Sequence, residues 1–108
     1  MVAAIRVLVT IDKYHLHTDT EVEQTKTKEA LTDIFKRRVP GIASVGVETF
    51  PYNLLMEVTL KPPADGCFSL GESELVERAQ SRGVRAEIAK AVNVEIGRVY
   101  KLVAKVQR

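Results

Sequence analysis

The sequence predicts one α+β domain, and three features carry that expectation. The first run alternates strictly, with Ile5, Val7, Val9 and Ile11 on one face, which is the period of a strand. Two further alternating runs follow each other between Ala43 and Leu60, as the arms of a β-hairpin do. Stretches of helical composition lie on either side of that hairpin, so helices and strands share one chain. A length of 108 residues suits a single domain over 1–108, because one core takes roughly 100 to 150 residues before chains divide.

The first strand carries Arg6, Leu8, Thr10 and Asp12 on its second face, and Leu8 there predicts a face not fully wetted. Beyond Asp12 the phase breaks, since Tyr14 and Leu16 fall on the opposite parity, and the strand is expected to bulge or end. Thr18 and Thr20 each precede a glutamate by three residues, Glu21 and Glu23, so either can open a capping box and start a helix. Val22, Ala30, Leu31, Ile34 and Phe35 form the apolar side of that helix, sparse at first and dense at its end. Lys36, Arg37 and Arg38 suit the negative end of a helix dipole, and Pro40-Gly41 enforces a stop.

In the hairpin, Ala43, Val45, Val47 and Thr49 alternate with Ser44, Gly46 and Glu48, and Leu54, Met56, Val58 and Leu60 share one face of the second arm. Pro62-Pro63 ends that arm, and 64–71 is rich in turn residues. Residues 72–93 are helical in composition, but Leu75, Val76 and Ala79 point about 150° away from Val84, Ile88, Ala91 and Val92 at the helical pitch. One straight helix cannot bury both sets. Gly83 lies at the change of face, and a glycine readily ends a helix, so a break is expected there.

Residues 94–106 admit two periods. As a strand they place Tyr100, Leu102, Ala104 and Val106 on one face; as a helix, Ile96, Val99, Tyr100, Val103 and Val106 form one stripe and Glu95, Arg98, Lys101, Lys105 and Arg108 the other. The strand reading gives the first strand a neighbour on each side instead of leaving it at an edge. The order then becomes βαββαβ, a ferredoxin-like split sandwich, with the Gly83 break as a kink in its second helix.

The helical reading rests on a resemblance. Ile88-Ala89-Lys90-Ala91-Val92-Asn93-Val94, followed by Val99-Tyr100 and Leu102, resembles the helix-turn-helix of bacterial DNA-binding domains over 85–104. Ala89 would let two helices cross closely, and Asn93 stands where glycine is commonest, a position asparagine can also take. The resemblance implies a recognition helix starting at 95–100, with Arg98, Lys101 and Lys105 available to DNA. The alternative architecture is thus a βαββ unit followed by a C-terminal three-helix helix-turn-helix, with a nucleic-acid partner.

Composition narrows the function classes. The 16 basic and 14 acidic residues leave a net charge of +2, too little to demand a nucleic-acid or anionic-membrane partner, although basic residues outnumber acidic ones from Glu72 onward. Cys67 is the single cysteine, so no intramolecular disulfide forms and a reducing, cytoplasmic setting is expected. The opening residues lack the basic flank and unbroken apolar run of a signal peptide, and no segment approaches the roughly 20 apolar residues of a membrane span.

Glycine-rich phosphate loops and nucleophile elbows are absent, no catalytic residue is assigned, and no cofactor is implied. His15 and His17, two apart with Asp12 and Asp19 nearby, are the candidate metal ligands, since alternate residues of an extended segment point the same way. Two imidazoles without a defined third ligand describe a solvated loop better than a site. Cys67 reads as a small hydrophobe before the second helical region. If the sheet is open on one side, Leu8, Leu55, Val99 and Val103 are expected on the uncovered face. Such a patch predicts a homo-oligomer, and with it a binding or assembly role in place of catalysis.

Overall fold

In the computed structural model, residues 3–12, 21–50, 55–64 and 68–108 are described. Among them the elements run β1 (Ala4–Ile11), α1 (Glu21–Arg38), β2 (Ser44–Phe50), β3 (Leu55–Lys61), α2 (Glu72–Ala79), α3 (Arg82–Ala91), a 3-10 turn at Ile96–Arg98 and β4 (Val99–Gln107). The four strands form one antiparallel sheet in the order β2-β3-β1-β4. The α+β expectation holds, and β1 lies inside the sheet with a neighbour on each side. No helix among the described residues is long and apolar enough to cross a membrane.

Alternation decides which face is covered. Ile5, Val7, Val9 and Ile11 on β1 and Met56, Val58 and Leu60 on β3 are fully buried, and they join Leu31, Ile34 and Phe35 of α1, Leu75 and Ala79 of α2, and Val84 and Ile88 of α3 in one core. All three helices therefore cover one face of the sheet, with α1 against β2 and α2 and α3 against β4. Phe35, the largest fully enclosed side chain among the described residues, anchors this layer; truncating such a phenylalanine to alanine costs about 3–5 kcal/mol.

Helix α1 ends where the sequence places its stop. Val39 is buried, and Gly41 has φ +79°. A Cβ at Gly41 would lie 2.1 Å from Ser69 Oγ, so both backbone conformation and space exclude a side chain. The proposed caps Thr18 and Thr20 lie outside the described residues. The basic last turn does more than complement the dipole: Arg37 and Arg38 both pair with Glu87 of α3.

The second helical region does break, but at Gln80 and Ser81 and not at Gly83. Ser81 is extended and its Oγ accepts a hydrogen bond from the Val84 amide at 3.3 Å, the N-cap arrangement that starts a new helix. Gly83 sits in the first turn of α3, where an added Cβ would come within 3.1 Å of Arg38 Nη1. Gly83 therefore lies within a helix and beside the Arg38 side chain, not at the break. At its other end α3 closes on Asn93, which adopts φ 59°, with the Val94 amide donating to the Ala89 carbonyl at 2.9 Å and the Asn93 amide to Lys90 at 3.2 Å. This pair of bonds is a Schellman closure with asparagine at the left-handed position.

Of the helix-turn-helix expectation, the helix before the turn and the left-handed Asn93 form. No recognition helix follows it, because Val99–Gln107 is a strand paired along β1. Pairing there satisfies the backbone of β1 on its second side, which a helix could not do. The register of this pair also shifts: Thr10 faces Lys101 while Ile11 faces Val99, leaving Tyr100 as the extra residue of a bulge. The bulge reverses the parity of the strand's start, so Val99 is fully buried and Tyr100 is 54% exposed.

Candidate functional site

The sheet face turned away from the helices is the surface on which the predicted site residues meet. Its central row, read across the sheet by Cα pairing, is Glu48 on β2, Glu57 on β3, Leu8 on β1 and Val103 on β4. One flanking row is Leu55, Thr10 and Lys101; the other is Gly46, Thr59, Arg6 and Lys105. Each row follows from alternation, since every second residue of a strand points the same way.

Three of the four expected interface residues lie here. Leu8 and Leu55 are half-buried and Val103 is 37% exposed, with Leu8 directly opposite Val103. Val99 does not join them. The bulge at Tyr100 turns it into the core beside Ile11, which corrects its assignment to the open face.

Charge is divided between the two halves of this face. Glu48 and Glu57 stand opposite each other on β2 and β3, a like-charge cross-strand pair that costs stability. Arg6 relieves part of this, reaching Glu57 at 2.7 Å. On the other half Arg6, Lys101 and Lys105 rim a shallow groove floored by Leu8 and Val103. Arg6, Glu48 and Glu57 carry no site role in the sequence reading, although they occupy the second parity of the same alternating runs. That parity is the signal that could have found them.

The three residues proposed for DNA contact do not share a helix. Lys101 and Lys105 project from β4 onto the open face, whereas Arg98 lies in the 3-10 turn and pairs with Asp12 at 3.3 Å. The candidate metal ligands His15 and His17, and Cys67, lie outside the described residues. Among the described residues no three histidine, cysteine, aspartate or glutamate side chains gather as metal ligands.

The carboxylates with displaced protonation belong to the helical layer. Hydrogen bonds from Arg38 and then Arg37 hold Glu87 below the ordinary carboxylate range, and a hydrogen bond from Arg108 lowers Glu72. Each arrangement ties two distant elements together: α1 to α3 in the first, the end of β4 to the start of α2 in the second. Comparison with family models, with curated proteins and with solved structures gave no match.

Proposed function

We propose that the protein is a non-catalytic assembly module that self-associates through the open face of its sheet. The observation that supports this reading is the Leu8–Val103 pair on the β1–β4 half of that face, with Leu55 diagonal to Leu8 on β3 and Arg6, Lys101 and Lys105 around it. Burying apolar side chains of this kind returns about 25 cal/mol per Å² removed from water, and a charged rim around an apolar centre is the usual plan of an interface. We take the wiring to be ferredoxin-like βαββαβ, with α2 and α3 together serving as the second crossover; the strand order β2-β3-β1-β4 supports that assignment. The single Cys67 is consistent with work in a reducing, cytoplasmic setting.

Sedimentation equilibrium tests the reading. The unmutated protein is expected to be a dimer or larger at micromolar concentration, and Leu8→Lys is expected to shift it toward monomer with its circular dichroism unchanged. A monomer for the unmutated chain overturns the proposal.

A further inference from the structure

We infer that the occupant of the open face is a second copy of the chain, related by a two-fold axis that runs parallel to the strands. This inference rests on the self-association proposed above and adds its geometry. A two-fold dimer buries the same patch on both copies, and two stacked sheets keep their strands within about 30° of alignment. The axis between two such faces can then run along the strands or across them.

Charge decides between these arrangements. An axis across the strands lays β2 on β2 and β4 on β4, so Glu48 and Glu57 meet the partner's acidic half while Lys101 and Lys105 meet its basic half. An axis along the strands reverses the strand order. The half carrying Glu48 and Glu57 then covers the half carrying Leu8, Val103, Lys101 and Lys105, so the methylene stems of the two glutamates lie over Val103 and Leu8 while their carboxylates reach the lysines on either side. The register supports this second arrangement, because Lys101 and Lys105 lie two residues to either side of Val103, in the same row as Glu48 and Glu57. They would bracket the acidic pair of the other copy across a sheet separation of about 10 Å. Glu48 and Glu57 oppose each other within one chain, so cations from the partner relieve a repulsion that Arg6 offsets only at Glu57.

The outer edge of β4 is a poorer route to association. Gln80 accepts from the Ala104 amide at 3.0 Å, and Arg85 Nη1 donates to the Val99 carbonyl at 2.5 Å. These side chains occupy backbone groups that a neighbouring strand would need.

The test uses exposed positions on opposite edge strands, Lys101 on β4 and Glu48 on β2. They are separated by three strand spacings of about 4.8 Å, so neither can rescue the other within one chain. Lys101→Glu alone and Glu48→Lys alone should each weaken the dimer about tenfold, since every substitution acts twice at a two-fold interface. Both substitutions in one chain should restore the dissociation constant to within about threefold of the unmutated value, with affinity falling as salt rises. A dimer that Lys101→Glu leaves unchanged or tightens overturns this geometry while self-association stands. A monomeric unmutated protein removes both.

Discussion

The side chain of Gln80 accepts a hydrogen bond from the Ala104 amide at 3.0 Å, so the residue that ends α2 also closes part of the outer edge of β4. An edge amide stripped of this partner can turn to water, and the net worth of such a bond is about 0.5–1.5 kcal/mol. Gln80→Ala is therefore expected to lower stability in urea titrations by about 0.5–1 kcal/mol. Gln80→Glu keeps the acceptor and should cost less. Equal losses in the two variants would show that the bond contributes nothing.

The bulge at Tyr100 makes a prediction that strict alternation would reverse. Val99 is fully buried against the core and Tyr100 is exposed. Val99→Lys places an unpaired charge in that core and is expected to cost about 3 kcal/mol or more, whereas Tyr100→Lys should stay within about 1 kcal/mol. Thermal unfolding of the two variants checks the phase directly. A larger loss at Tyr100 would mean that β4 has no bulge.

Glu87 links α3 to the end of α1 through Arg38 and Arg37, and both arginines hold its carboxyl below the ordinary range. A folded-state value depressed in this way stabilises the protein above the unfolded-state value, and the benefit is lost as pH falls through the folded one. Glu87→Gln should thus be less stable than the unmutated protein near neutrality, with the gap closing in acid. Stability measured between about pH 7 and pH 3, spanning the carboxylate range, tests this. A gap independent of pH would assign the loss to packing instead of charge.

The helical layer was legible from residue types alone. Lys36, Arg37 and Arg38 followed by Pro40-Gly41 mark the end of α1, because a dipole and a fixed φ act within a few residues. Two apolar faces over 72–93 announced a broken helix for the same local reason. The break falls at Ser81, which caps α3 through its own hydroxyl, while Gly83 lies inside the first turn of α3 beside Arg38, 45 positions earlier in the chain. No local rule separates a glycine that ends a helix from one that lies inside its first turn.

By itself the sequence determined the first three strands, the hairpin and the apolar face of β1, all of which follow from side-chain period. Tertiary structure alone decided the state of 99–107. Helical and strand periods both fit that segment, and the choice fell to pairing with β1, which satisfies backbone groups that no local rule can count. The same pairing introduced the bulge, moved Val99 into the core and left Leu8 facing Val103 on the open face. A one-residue shift in a strand exchanges its two faces, so the composition of this surface was set by register, a property of two strands together and of neither alone.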